Sequence, residues 1–399
     1  MRIRRLPAVA LLTFGLVAFN GQFISRAVAA DKAGVTRSLF DGKTLNGWTI
    51  ENDCKVKVQD GMLLLAEGNG WLRSNNTYRD FKFHVEWKAL KKSKYDAGIY
   101  IRTLPGTKPF PRKSYQANLL QGKEGNIGNL KGASSKGLIK PAGEWNTFDI
   151  TVIGETVEMV INGQKAYKVG GIKIPAGYIG IQVEVPGGGQ FLVRNVKVTE
   201  LGFTSLFNGK DFTNWEGAGK PASDCWAVQN GELVGLRKRG PWLRSKKEYG
   251  DFNLRLEYLV EPGANSGVYI RVPKNGNHHR DNAKLPPAGF EVQILDDHAR
   301  KYRKLKPYQY CGSIYDIAGA TKHVCKPAGQ WNTLELNCDG YHITSIHNGV
   351  VIVDADAKKN PKIKLRQLRG YLGLQNHGGG VRFRNIRIGP ATKNLTLPQ

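Results

Sequence analysis

The 399-residue chain is poor in sulfur, with three Met and five Cys. So few cysteines exclude a small disulfide-stapled scaffold. Beyond the N-terminus no apolar run approaches the roughly 18 residues that a membrane span requires. Helical periodicity is nearly absent, and no dinucleotide-binding fingerprint, helix-turn-helix, zinc-finger or RNA-recognition signature occurs. Acidic residues are scarce: 33 Asp and Glu face 59 Lys and Arg, a formal charge of +26. The basic residues are spread along the chain, so nucleic acid is not the expected partner; a solvated basic surface or an anionic-polysaccharide setting accounts for the charge. The 48 glycines are scattered through apolar segments without a Gly-X-Y period, which excludes collagen. With 40% apolar and 23% charged residues, the rest is a globular composition.

The N-terminus carries an address. Arg2, Arg4 and Arg5 precede an apolar stretch from Leu6 to Phe19, and Ala27-Val28-Ala29-Ala30 stands before Asp31. These are the three parts of a secretory signal. Residues 1–30 are expected to be removed near Ala29/Ala30, which makes the mature protein periplasmic or secreted; the other reading, an uncleaved anchor, has a short apolar segment to work with. Export permits disulfides, and Cys311 and Cys325, which bracket one loop-rich stretch, could pair. An odd number of cysteines leaves at least one outside such pairs.

The chain repeats itself once. Leu39-Phe40-Asp41-Gly42-Lys43 through Trp48 returns as Leu206-Phe207-Asn208-Gly209-Lys210 through Trp215. Trp71-Leu72-Arg73-Ser74 returns as Trp242-Leu243-Arg244-Ser245, and Gly98-Ile99-Tyr100-Ile101-Arg102 as Gly267-Val268-Tyr269-Ile270-Arg271. Pro141-Ala142-Gly143-Glu144-Trp145-Asn146 returns as Pro327-Ala328-Gly329-Gln330-Trp331-Asn332, and Gly177-Tyr178-Ile179-Gly180-Ile181-Gln182 as Gly370-Tyr371-Leu372-Gly373-Leu374-Gln375. The order is preserved, so two tandem domains are expected at 36–200 and 203–390, with no long linker near Leu201 to Thr204. Each copy reads as short strands with period-two alternation, as in Phe81 to Trp87, with hairpin dipeptides at Asn162-Gly163 and Asn348-Gly349. The expected fold class is all-β, each copy a two-sheet sandwich or jelly roll.

Alternation also proposes a site. In Gly267 to Arg271, Val268 and Ile270 belong to the core, so Tyr269 and Arg271 face the other way. In Glu291 to Asp296, Val292 and Ile294 are core, which turns Glu291 and Gln293 outward and leaves Asp296 at the strand end. In Gly370 to His377, Leu372 and Leu374 are core, and Gln375 and His377 share the opposite face. If these strands are neighbours, Arg271, Glu291, Gln293, Gln375 and His377 converge on one patch suited to a sugar. The first copy keeps Tyr100 and Arg102 but has Gln116 opposite Glu291 and Gln121 opposite Asp296, and shows no clear counterpart of His377. A Gln cannot exchange a proton at neutral pH, so chemistry is expected in the second copy, whose first-copy counterpart is degenerate. Trp48, Trp145, Trp215 and Trp331 read as core. His278-His279, beside Arg280 and Asp281, reads as a solvated loop rather than a metal site. The pattern fixes no cofactor, and a divalent cation held by Asp or Glu with His377 is compatible with it.

These motifs, with Asn265-Ser266 before Gly267, Phe290 before Glu291, Gly312-Ser313-Ile314-Tyr315-Asp316, and Gly373-Leu374-Gln375-Asn376-His377-Gly378 leading to Phe383-Arg384-Asn385, resemble the 3-keto-disaccharide hydrolase family. The resemblance runs through both copies. It implies two tandem concanavalin-like jelly-roll sandwiches in an exported bacterial enzyme that acts on glycosides oxidised at C3, by hydrolysis or by lyase and hydratase steps. A C3 ketone acidifies the C2 proton, so a base, a cation for the enolate oxygen and an acid for the leaving group are needed. Glu291 or His377 is the candidate base, Arg271 the candidate enolate or substrate clamp, and Asp296 or Asp316 an acid or an orienting group for His377. Tyr269, Gln293, Asn265, Gln375 and Asp316 are candidate substrate contacts. The expected partners are a carbohydrate substrate and a separate sugar 3-oxidoreductase that makes the 3-keto form. A glycan-binding jelly roll without catalysis, or a cell-surface protein held to anionic polymer by its charge, are the competing readings.

Overall fold

Phe81, Phe83, Val85 and Trp87 are all buried while Lys82, His84 and Glu86 between them are not, the alternation of a strand with one face on a core. The same pattern organises the whole computed structural model, which describes residues 33–393, 395 and 397. The proposed signal segment, 1–30, lies outside the described residues. The chain is all-β, two tandem concanavalin-like jelly-roll sandwiches, each around its own apolar core.

In the first copy one curled antiparallel sheet runs Tyr115–Asn118, Gly98–Thr103, Gly177–Glu184, Met62–Tyr78, Phe191–Leu201, Phe81–Ala89, Asn146–Ile153, Thr156–Ile161, Gln164–Gly170. The strand Met62–Tyr78 passes through both layers: its first residues pair with Phe191–Leu201 and its later ones with Gly177–Glu184. In the second copy the corresponding stretch is broken into Glu232–Gly235 and Leu243–Tyr249, and the sandwich separates into two sheets. One holds Phe252–Val260, Asn332–Asp339, His342–His347, Val350–Ala355 and Val381–Gly389. The other holds Trp215–Gly217, Leu243–Tyr249, Gly370–Leu374, Asn265–Val272 and Phe290–Leu295 in that order. Asn162-Gly163 and Asn348-Gly349 take the left-handed turn conformation, with φ of 49° and 79°, and 47° and 80°.

The two copies meet through buried polar groups. Glu200 pairs with Arg255 and Arg387, and Glu335 accepts from Thr77 N at 3.0 Å, Thr77 Oγ1 at 2.6 Å and Asn253 Nδ2 at 2.9 Å. The Gly349 carbonyl accepts from Arg73 Nη1 at 2.8 Å and from Tyr178 OH at 3.1 Å. All five cysteines are buried thiols; Cys311 and Cys325 lie side by side but are not bonded to each other.

Candidate active site

The strands Gly370–Leu374, Asn265–Val272 and Phe290–Leu295 are hydrogen-bonded neighbours, so the relation on which the proposed patch depended holds. Their outward residues line a cleft of about 530 Å³. Tyr269 pairs across the strands with Glu291, and Gly267 with Gln293. Gln375 Nε2 donates to Tyr269 OH at 2.9 Å and to Glu291 Oε1 at 3.0 Å, while Gln293 Nε2 donates to Asn265 Oδ1 at 2.9 Å. His377 also lines the cleft. Among the described residues, Glu291 is the single carboxylate on its walls.

Loops complete the cavity with groups that alternation could not reveal. His278 stacks on Tyr269, ring centroids 5.0 Å apart and 20° between planes, and its Nε2 lies 3.0 Å from Glu291 Oε2. Its Nδ1 faces the Gly276 carbonyl at 3.2 Å. Both ring nitrogens face acceptors, so the ring is satisfied as an imidazolium. Burial pulls its pKa down, but the hydrogen bond and charge of Glu291 outweigh this and hold it above the ordinary histidine value. Desolvation, reinforced by the Glu291 charge, pushes the Tyr269 phenol far up, so Tyr269 is a neutral hydroxyl here. Trp242 meets Tyr269 edge to face at 5.3 Å, and Arg239 adds a cation at the rim. Both come from the segment that breaks the long strand.

Three of the sequence-derived candidates stand elsewhere. Arg271 is fully buried and does not line the cleft. Its φ is +53°, and the register shifts between Tyr269 and Val272, so the bulge turns the side chain inward against the simple alternation. The guanidinium donates to Gly250 O at 2.8 Å, Gly340 O at 2.6 Å and Asp251 Oδ1 at 3.1 Å. Arg102 makes the matching set in the first copy, to Arg79 O, Gly154 O and Asp80 Oδ1. The shared role is structural. Asp296 caps a turn, accepting from Gly263 N at 2.8 Å and His298 N at 3.2 Å, and is also absent from the cleft. Asp316 lies outside it with His279 and Lys362 at 3.4 and 3.6 Å. Trp145 and Trp331, read as core, are half-buried under the guanidinium groups of Arg194 and Arg384. Among the described residues, the groups spaced to hold a cation are Asp297–Cys311–Cys325 and His279–Asp281–Asp316; neither includes His377.

The equivalent face of the first copy is filled. Trp71 and Tyr100, counterparts of Trp242 and Tyr269, are 1% and 2% exposed, and the Val185–Gly188 turn packs on Asp96, whose N donates to Gly188 O at 3.1 Å. Gln116 and Gln182 bond to each other as Glu291 and Gln375 do. This copy is not stripped of ionisable groups, however: Glu184 stands in the register of His377 and Asp96 in that of Asn265. Desolvation raises both carboxyls, Glu184 further through the charge of Asp96.

The sequence pattern of the 3-keto-alpha-glucoside-1,2-lyase-like domain matches residues 35–199 and again 202–389. The chain belongs to this family. A 3-keto-disaccharide hydrolase of Bacteroides thetaiotaomicron is 26% identical over 226 residues, covering 47% of this chain and 78% of that protein. A solved structure from Parabacteroides distasonis, named as a candidate glycosyl hydrolase, is 30% identical over 47% of this chain and 98% of its own, with a TM-score of 0.40. The Bacillus licheniformis beta-glucanase structure is 15% identical over 43% of this chain and 99% of its own, with a TM-score of 0.32. The family and the Bacteroides relative indicate a hydrolase-like carbohydrate enzyme, with no helix among the described residues long and apolar enough to cross a membrane.

Proposed function

We propose that the protein is an exported enzyme that cleaves glycosides oxidised at C3, with its chemistry in the cleft of the second copy. The observation that carries this reading is the lone wall carboxylate, Glu291, paired with an imidazolium, His278. Direct glycoside hydrolysis ordinarily uses two carboxyl groups flanking the bond. Proton abstraction next to a ketone needs one base, and it fits the residues available.

In the proposed sequence the Glu291 carboxylate takes the C2 proton, and the C–H electron pair moves into an enolate with the C3 carbonyl. The enolate collapses, a C1–C2 double bond forms, and the C1 oxygen substituent leaves with a proton supplied by His377. The conjugated ketone is released, or water adds at C1 with a proton returning to C2, which completes net hydrolysis. His278 holds Glu291 in place through its Nε2. Arg239, rather than Arg271, is the cation available for the developing enolate oxygen. Gln293, Asn265 and Gln375 meet hydroxyl groups, and Trp242 with Tyr269 walls the ring. Substrate in this scheme comes from a separate sugar 3-oxidoreductase.

The test is turnover of a 3-keto-glycoside and of its unoxidised parent. Glu291→Gln should lower turnover of the 3-keto form by roughly 10²–10⁴-fold, the usual scale of general acid–base catalysis, while the parent is not cleaved by either protein. Unchanged turnover in E291Q removes the assignment. Binding of both sugars without cleavage would instead make this a glycan-binding protein.

A further inference from the structure

Between the strands Phe290–Leu295 and Asn332–Asp339 the chain runs through residues 296–331 without a strand, apart from the 3-10 turns Arg300–Tyr302 and Pro307–Gln309. So long an irregular segment inside a compact domain is usually functional or needs an anchor. This one builds a wall of the cleft: Tyr302, Leu305, Gln309 and Tyr315 all line it. Three side chains of the same segment, Asp297, Cys311 and Cys325, turn away from the cleft and meet behind that wall. Their ligand atoms lie within 4.8 Å of one another. They are spaced 14 residues apart, so they gather the two ends and the middle of the segment at one point.

We propose that Asp297, Cys311 and Cys325 form a site for a thiophilic divalent cation of the zinc type, which fastens the wall of the cleft. The donor set carries the choice of ion. Two sulfurs favour a borderline-soft metal over calcium or magnesium, and the carboxylate favours a divalent ion over a monovalent soft one. Both cysteines are buried, at 3% and 8% exposure, yet Cys325 and Asp297 border a hollow of about 300 Å³ through which an ion can enter. His323 borders the same hollow. Its ring packs edge-on against Tyr310 at 4.2 Å and makes no hydrogen bond among the described residues, which leaves its nitrogens available as a fourth donor. His298 is not available in the same way, because its Nε2 faces the Cys325 carbonyl at 2.9 Å.

The surroundings already supply the outer contacts that such sites use. Asp297 Oδ1 and Oδ2 accept from Cys311 N at 3.1 and 3.3 Å, which aims the carboxylate at the sulfurs. Cys311 Sγ accepts from Leu295 N at 3.1 Å, and Tyr258 OH lies 3.3 Å from it. Binding displaces the thiol protons to solvent and forms two metal–thiolate bonds, with no change of oxidation state. The second candidate group, His279, Asp281 and Asp316, is less suited, because the Lys362 ammonium already lies 3.0 Å from Asp281 and 3.6 Å from Asp316.

The experiment uses the full chain, freed of metal with a chelator and titrated with Co²⁺ as the probe. The expected result is a thiolate-to-cobalt charge-transfer band that saturates at one Co²⁺ per chain and is abolished by Zn²⁺. Cys311→Ser and Cys325→Ser should lose the band, and Cys54→Ser, in the first copy, should keep it. Because a buried Cys→Ser change can unfold the domain, Asp297→Asn serves as the second variant: Zn²⁺ should raise the thermal midpoint of the wild type and leave that of D297N unchanged. The proposal is overturned if no band appears, if C311S binds as the wild type does, or if the unfolded, unreduced chain shows two thiols fewer than its five cysteines, which would mean a Cys311–Cys325 disulfide.

Discussion

Glu291 owes its position to the missing side chain at Gly267. A Cβ there would stand 2.4 Å from Glu291 Oε1, and one at Gly373 would stand 2.2 Å from Trp242 Cε3. Gly267→Ala should therefore displace the carboxylate and depress turnover strongly, at an overpacking cost of roughly 1–3 kcal/mol in stability. Chemical denaturation alongside a kinetic assay separates the two effects; full activity in a folded G267A would contradict the placement of Glu291. His278 supplies a pH test. Its pKa is raised in the folded state, so the pair with Glu291 stabilises the fold fully below the unfolded histidine value of about 6.5, once Glu291 is ionised, and this contribution fades as pH rises through the folded pKa. The stability gap between wild type and E291Q should accordingly shrink on the alkaline side, and the ring titration followed by NMR should move down in E291Q. Tyr269, Glu291, Gln293, Gln375 and His377 were legible in the sequence because they sit on, or directly follow, regular strands whose apolar partners fix their facing. Arg271 misled because a positive φ reversed its side chain, a local feature that residue type alone does not announce.

The segment between Glu232–Gly235 and Leu243–Tyr249 explains why one copy has a cleft and the other does not. In the first copy the strand Met62–Tyr78 is continuous and carries Trp71 into the packed interior, whereas in the second the break releases Arg239 and Trp242 to the cavity. The repeat marked the two tryptophans as equivalent, but their exposure depends on whether the flanking residues pair, which pattern alone did not decide. His278 was hidden for a related reason: it lies on a loop, where no periodicity assigns a direction. The arginine clip is the opposite case, an element common to both copies. Arg102 and Arg271 each tie the start of a strand to a hairpin turn through backbone carbonyls. Replacing either with Leu leaves buried acceptors unpaired and should cost roughly 2–5 kcal/mol. Urea midpoints would check this, and R271L that remains folded should keep its KM, since the guanidinium does not reach the cleft.

The copies are joined by buried charge as well as by apolar contact. Glu200, from the end of the first copy, is buried among Arg37, Arg255 and Arg387, and although desolvation opposes its ionisation, those guanidinium groups hold its carboxyl down to about 2. Removing that charge leaves the buried Arg387 without its carboxylate, although Arg255 keeps Glu335 and Arg37 keeps Glu257, so Glu200→Gln should lower stability by roughly 3–5 kcal/mol. The contribution is complete above the ordinary carboxylate range and is lost as pH falls towards about 2. An unaltered denaturation midpoint in E200Q would count against the network. The tandem organisation was plain in the sequence, because the motifs return in order; the interface was not, because Glu200 pairs with Arg255 and Arg387, 55 and 187 positions away. A first copy with a filled face and a second with an open one fit a supporting domain and a working domain.

The central claim is that cleavage in the second-copy cleft passes through loss of the C2 proton to Glu291. The direct measurement is turnover of a 3-keto-glycoside in D₂O, with the product analysed before its own slow exchange. The account predicts that no product of the wild type keeps the original C2 hydrogen: the conjugated ketone carries none at C2, and the hydrated product carries deuterium there; with E291Q neither product nor C2 exchange rises above background. Rapid cleavage that leaves the original C2 hydrogen in place would contradict it.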